Sequence, residues 1–515
     1  MYSNRAPVRT VQKSDVVVML TRLRVTGFKN LVDVDVRFGP FTCVAGPNGV
    51  GKSNLFDAIA FLHFLAERPL AEAALSVRGE GSRAADVRGL FHRVGTDFAP
   101  RMMLSAEMVV PPLGRDDLGQ PAEASITFLR YTVEFAHRDR DGNGAGGLEL
   151  VKEELVHINL GDAKREILFP HSTDWSKLAV RGRRASPFIS TETNDDGQSI
   201  VKLHQEGKQG RARSLLAADL PRTVLSATNA AESPTVVVAR QEMRSWRLLQ
   251  LEPSSMRRPD EFASPTTLGT DGSHLPATLF RLAHANGVAA GISGAEREAQ
   301  VYAQVGNRLA ELIDDVRQVR VDRDLTRELL TLQVSGRDGT VHAARDLSDG
   351  TLRFLALATL ELDPEAQGVL CLEEPENGIH PARIPAILRL LQDIAVDVQE
   401  PVSLDNPLRQ VIINTHSPAV VGQVPDDSLL VAAPLDYREE SRRYTAVQFS
   451  ALSDTWRAKS ESPPHLVARG DLLAYLSPMA LNQEAPGEQS GQLPIRRRVV
   501  DRSDLQLLLP GIPSP

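Results

Sequence analysis

The octet Gly46-Pro47-Asn48-Gly49-Val50-Gly51-Lys52-Ser53 is the first place in this chain where residue types and spacing specify chemistry. The pattern G-x-x-x-x-G-K-[ST] puts glycines where a backbone must approach an anion closely or take a positive φ, so successive N–H groups can converge on a polyphosphate. Lys52 brings a compact positive charge to the β- and γ-phosphates, Ser53 a hydroxyl for Mg²⁺, and Asn54 follows directly. A strand-like run (Phe41, Cys43, Val44, Ala45) precedes the octet and a helix-like run (Leu55 to Leu65) follows it. A helix N-terminus therefore faces the same anion.

Three later segments carry complementary groups. The apolar run Gly368-Val369-Leu370-Cys371-Leu372 reads as a strand buried on both faces, and it delivers Glu373-Glu374 at its tip. One carboxylate there suits Mg²⁺, directly or through water, and the next suits polarisation of an attacking water. A second buried run, Gln410 to Ile413, delivers Asn414-Thr415-His416-Ser417, so His416 stands at a strand end where it can contact a γ-phosphate. Leu347-Ser348-Asp349-Gly350-Thr351 precedes a helix-like stretch, Leu352 to Leu362, and offers a further anion site at Ser348 and Gly350. Taken singly, the three segments read equally well as a solvated strand end, a hydrogen-bonded structural histidine and a helix cap.

In this order the four segments resemble the ABC-type ATPase set of Walker A loop, signature motif, Walker B strand and switch histidine. Leu23-Arg24-Val25-Thr26-Gly27-Phe28-Lys29-Asn30-Leu31 looks like the opening of chromosome-maintenance and repair ATPases of the SMC and RecF type. Leu372-Glu373-Glu374-Pro375-Glu376-Asn377-Gly378-Ile379-His380-Pro381 is similar to a block of the OLD-like ATPases of bacterial defence systems. The resemblance covers residues 20 to 70 and 300 to 435. It implies that Glu374 activates water, His416 contacts the γ-phosphate, Lys52 neutralises β/γ charge, and Ser53 with Glu373 holds Mg²⁺. It also implies that Ser348 and Gly350 act in trans, so that two chains close head to tail around two ATP molecules, as a homodimer or a higher oligomer. Two departures stand out: Glu373 occupies a position where transporter relatives carry Asp, and the usual Q-loop glutamine has no assignment, because no Gln lies between the loop helix and Gln120.

Composition agrees with a globular ATPase. The 515 residues are 42% apolar and 24% charged, and no apolar run reaches the length of a membrane span. The two cysteines, Cys43 and Cys371, fall inside the motif-bearing strands, too few for a disulfide framework or zinc site and suited to a reducing cytoplasm. Met19 is an alternative natural start. The net charge of −8 does not advertise nucleic acid, and the basic clusters at Arg181-Gly182-Arg183-Arg184, Arg211-Ala212-Arg213 and Arg496-Arg497-Arg498 lack interleaved aromatics, so they read as solvated loops. DNA stays open as a partner.

Spacing sets the organisation. Nearly three hundred residues separate Ser53 from Leu347, so something large is inserted, and no sustained a/d heptads mark it as a coiled coil. Residues 100 to 160 alternate as strands, with a turn at Asp139-Arg140-Asp141-Gly142-Asn143-Gly144; residues 186 to 214 read as a mobile loop; Val301 to Val316 read as a helix; and Leu329 to Val341 read as a hairpin. The expected fold is α/β: an ABC-type P-loop ATPase head, a mixed sheet with flanking helices, carrying a large inserted β plus helical lid or arm. Its expected divisions are an N-terminal extension (1–18), a Walker A lobe (19–135), the inserted arm (136–300), a lobe with signature, Walker B and switch histidine (301–435), and a small layer with a flexible tail (436–515). The tail shows no convincing D-x-D after an apolar strand, which argues against a Toprim nuclease within the chain. The expected function is an ATP-hydrolysing conformational switch in a bacterial anti-phage defence or DNA-repair complex, controlling a separately encoded nuclease or toxin in the manner of PtuA of Septu or AriA of PARIS. The alternative is a RecF-like DNA-binding clamp that needs no effector.

Overall fold

The computed structural model describes residues 19–77, 87–139, 146–206, 212–285, 293–400, 406, 409–439, 442–460 and 465–467. The expectations on the N-terminal extension, the turn tip at 140–144, the cluster at 496–498 and the tail from 485 onward lie outside these residues.

Two large sheets organise the chain. The nucleotide sheet runs in the order Arg247–Leu249, Gly368–Glu373, Arg409–Thr415, Phe41–Ala45, Leu429–Glu439, Arg442–Ala451 and His465–Leu466, and its first five strands are mutually parallel. Phe41–Ala45 and Arg409–Thr415 are buried at every position, as strands covered on both faces by helices must be. The second sheet is antiparallel and eight-stranded, from Arg213–Leu216 at one edge to Leu31–Arg37 at the other. Gln410 joins the two sheets from complete burial: its Oε1 accepts from Leu20 N at 3.0 Å, and its Nε2 donates to Leu20 O at 2.8 Å and Gly39 O at 2.9 Å. An amide with three of its sites satisfied tolerates such burial, whereas an apolar residue there would take these bonds from three backbone groups.

Helix Asp349–Leu362 is fixed at both ends. Ser348 caps its first turn, and the buried Arg409 guanidinium donates to the carbonyls of Glu361 (2.7 Å), Ala366 (2.6 Å) and Asp363 beyond its C-terminus, where a cation is favoured. Helix Gly294–Leu312 lies alongside, with Arg308 bonded to Glu361 and, at 2.7 Å, to Asp393.

Several boundaries differ from those expected. The divisions at 135, 300 and 435 fall inside Phe128–Asp139, Gly294–Leu312 and Leu429–Glu439. The long helix ends at Leu312, and Val316 opens strand Val316–Asp324. The stretch 186–214, expected as a loop, holds strands Ile189–Thr193, Ser199–Leu203 and the start of Arg213–Leu216. Phe188, Ile189, Val201 and Leu203 are the buried apolar residues there, so the alternation is too short to stand out among polar neighbours. The hairpin is present: Leu329–Gly336 pairs with Val341–Ala343. Among the described residues, no helix is long and apolar enough to cross a membrane.

Candidate functional site

Four adjacent parallel strands end at one edge of the nucleotide sheet, and each delivers a polar group there. Register aligns Leu249 with Leu372, Glu373 with Asn414, and Thr415 with Ala45, so Gln250, Glu373-Glu374, His416 and the Gly46–Ser53 loop emerge side by side. This carboxyl edge of a parallel sheet is where α/β folds build ligand sites.

The loop is shaped by glycine. Gly49 and Gly51 have φ of 78° and 111°, values open to glycine but strained for other residues. A Cβ on Gly51 would lie 2.1 Å from Asn30 Nδ2, and that close approach has a purpose. Asn30 Nδ2 donates to Val50 O at 2.8 Å, and its Oδ1 accepts from Asn54 Nδ2 at 2.6 Å, so the turn after Phe28 clamps the loop from behind. Gly46 needs room too, because a Cβ there would sit 2.4 Å from Ala432 O. Helix Lys52–Leu65 starts at the lysine itself, three residues before the expected apolar run, because glycine at its cap lets the chain turn directly into helix. Lys52 is 6% exposed, and its Nζ donates to Gly46 O (2.7 Å) and Pro47 O (2.9 Å); burial lowers its pKa, opposed by Glu374, Glu373 and Glu376.

Across the cleft, Glu374 has φ of 44° and its backbone N–H donates to Asn414 Oδ1 at 3.1 Å, so the residue after the strand is turned back over the site. Asn377 Nδ2 donates to its Oε2 at 2.9 Å, and His416 Nδ1 lies 2.6 Å from its Oε1. Burial alone would push this carboxyl up, but the bonds from Asn377 and His416, with the His416 and Lys52 charges, outweigh it and hold the pKa below the usual carboxylate value. Glu376, two residues on, behaves oppositely: it is 7% exposed, accepts from Thr415 Oγ1, and is pushed upward chiefly by burial.

A cleft of 510 Å³ is lined by Asn48, Gly49, Gly51, Lys52, Ser53, Asn54, Glu373, Glu374, Asn377 and Asn414. The structure thus brings together the loop, both carboxylates and, through Glu374, His416. It does not bring Ser348 or Gly350 to that cleft. Ser348 Oγ accepts from Thr351 N at 3.2 Å, and Gly350 packs so closely on the following loop that a Cβ would meet Gly378 O at 2.3 Å. Arg353, one turn further, donates to Asn377 O at 2.6 Å, joining this helix start to the turn that holds Glu374. Gln250 is the group that sequence reasoning missed. It borders both cavities that flank Glu373 beyond the main cleft, and the signal was topological: a glutamine closing a short strand beside the Glu373 strand, far beyond the interval searched. The donor set of Ser53 hydroxyl, Glu373 carboxylate and Gln250 amide is all hard oxygen, which fits Mg²⁺ carried in with phosphate oxygens.

A parallel sheet with a glycine-shaped phosphate loop, paired carboxylates and a strand-end histidine on adjacent strands defines an ABC-type ATPase of the OLD, RecF and SMC class. The chain belongs to the family described as "AAA domain, putative AbiEii toxin, Type IV TA system", which matches residues 41–129 and 156–422. It is 35% identical over 75 residues to the DNA replication and repair protein RecF of Porphyromonas gingivalis, a match covering 14% of this chain and 20% of that protein. It is also 49% identical over 41 residues to the OLD nuclease of Thermus scotoductus, covering 8% of each. The chain therefore spans a fifth or less of the length of these curated relatives. Among solved structures, an Smc head bound to the C-winged helix domain of ScpA aligns with 84% of this chain and 98% of that one at 12% identity and a TM-score of 0.40, and the SMC head domain from Thermotoga maritima aligns at 11% identity, 83% and 97% coverage, and a TM-score of 0.33.

Proposed function

We propose that this protein binds and hydrolyses ATP with Mg²⁺ between two copies of itself, and that the cycle of closing and opening drives a separate effector. The observation that carries the reading is the single cleft in which Lys52, Ser53, Glu373 and Glu374 face one another. Lys52 neutralises charge at the β- and γ-phosphates, loop N–H groups hold the phosphate oxygens, and Ser53, Glu373 and Gln250 hold Mg²⁺, which when bound offsets phosphate charge. Glu374, ionised and aimed by Asn377 and His416, accepts hydrogen bonds from the attacking water, and His416 approaches the γ-phosphate. Ser348 and Gly350 stand outside their own chain's cleft at a capped helix start, which supports a role on the ATP of a second copy. Loss of the γ-phosphate then removes what both halves hold in common.

The family description and the OLD likeness favour an anti-phage or toxin-linked setting in the cytoplasm with a nuclease or toxin as the driven partner. The RecF stretch favours a second reading, a clamp that binds duplex DNA unaided; tight, salt-sensitive filter binding of the isolated protein would select it. The main test is Glu374→Gln, which keeps the side-chain shape but removes the charge. It should bind ATP, stall, and double in mass by light scattering with Mg-ATP. Turnover at the parental rate would move water activation elsewhere.

A further inference from the structure

Behind the cleft lies a second cavity of 830 Å³, which shares Ser53 and Glu373 with the nucleotide cleft and is also lined by Gln250. Its walls carry three guanidinium groups, from Arg68, Arg244 and Arg247. Its carboxylates do not neutralise them. Asp57 is paired with Lys29 at 2.7 Å, and Glu373 belongs to the cleft side. Arg68 donates to Ser76 at 2.8 Å, Arg244 pairs with Asp117 at 2.7 Å, and both reach Glu67 only at 3.8 Å. Arg247 is the least compensated. Its hydrogen-bond partner is the Leu268 carbonyl, burial lowers its pKa, and Asp363, which opposes that shift, is already paired with Arg281 at 2.6 Å.

We propose that this arginine-lined cavity is an anion site that receives inorganic phosphate from the nucleotide cleft, so that the cleaved group leaves behind Ser53 and Glu373 while ADP stays on the loop. The proposal rests on the hydrolysis proposed above. Attack of water oxygen on the γ-phosphorus breaks the bond to the β–γ bridging oxygen, which stays with ADP. The product is a free phosphate, and a second copy seated over the cleft would block its exit at the front. An arginine fork matches phosphate oxygens in pairs, and a guanidinium such as Arg247, whose hydrogen bond goes to a backbone carbonyl, draws an anion into a cavity more strongly than the same charge on an open surface. Arg247 supplies the inner attraction, and Arg244 with Arg68 the outer one.

The test uses the full-length chain in a single turnover with Mg-ATP, following cleaved phosphate by acid quench and released phosphate with a fluorescent phosphate reporter. In Arg247→Gln, release should fall behind cleavage by about tenfold relative to the parent, and inhibition by added inorganic phosphate in the presence of ADP should weaken by a similar factor. Arg244→Gln, at a side chain 38% exposed, gives the same readout should the deeper substitution not fold. Release that keeps pace with cleavage in the folded variants overturns the proposal. A parent that cleaves no ATP overturns the hydrolysis reading instead, and calorimetric titration of inorganic phosphate into ADP-loaded protein then decides the cavity alone: heat present in the parent and lost in the variants supports the anion site, and heat absent or unchanged rejects it.

Discussion

The phosphate-loop side of the site and the Ser348 helix start are both held by side-chain hydrogen bonds, yet they are finished differently. On the loop side, Lys52, Ser53, Glu373 and Glu374 line one cleft of the same chain, and Asn30, from the turn after Phe28, locks the backbone from behind. At the helix start, the Ser348 hydroxyl is committed to capping, Gly350 is pressed onto Gly378, and Arg353 ties the turn to Asn377, but no part of the segment lines the cleft. This placement, outside its own chain's cleft, is what the proposed role on the ATP of a second copy rests on. The loop side can thus be judged from one copy, whereas the proposed sealing by Ser348 and Gly350 needs two.

That difference is broken or sharpened most severely by mixing. Lys52→Ala and Ser348→Arg should each lower turnover by a factor on the order of 10² to 10³, the range seen when one charge-stabilising group is removed. If two copies share each site, equal mixing gives half mixed pairs, each with one intact site and one doubly damaged site, so activity should return to about a quarter of the parental value. No return would mean that each chain carries a complete site and that Ser348 acts within its own chain or not at all.

A smaller effect is expected at Asn30. Asn30→Ala removes the bond to Val50 O and the one from Asn54, costing about 1–2 kcal/mol of loop order. ATP affinity should fall by about tenfold in a nucleotide-binding titration, while assembly of already loaded protein is spared. Equal weakening of both would show that the loop and the helix start are not independent.

How much of this was legible follows the same divide. The loop, the carboxylate pair and His416 were readable because each follows a short run with an apolar centre, which is how a parallel strand buried on both faces reads in a sequence. Ser348 was readable as a helix cap, which it is. Gln250 was not readable, because its strand, Arg247–Leu249, is three residues long and joins the sheet beside a strand more than a hundred residues later in the chain. Asn30 stood within a motif, but its clamp on Val50 and Asn54 is a contact that spacing does not reveal. The antiparallel sheet was only half visible, since its outer strands bury one face and alternate over too few residues to be told from loop.

The smallest predicted effect contrasts two carboxylates of one turn. Glu374 has a folded pKa below its unfolded value, so its contribution to stability is present above the unfolded value and is lost as pH falls through the folded one; hydrolysis should therefore show no acid limb from Glu374 near neutrality. Glu376 is shifted the other way. The folded state prefers its protonated form, so its contribution is full below the unfolded value and declines as pH rises through the folded one. Glu376→Gln holds that residue neutral at every pH and keeps an oxygen for Thr415 Oγ1. The variant should thus melt about 2 °C higher than the parent at pH 8 and the same as the parent at pH 4, as read by thermal melts across that range. An equal loss at both ends would mean instead that the effect does not depend on charge and that the new amide group fits poorly where the buried Oε2 lacks a hydrogen-bond partner.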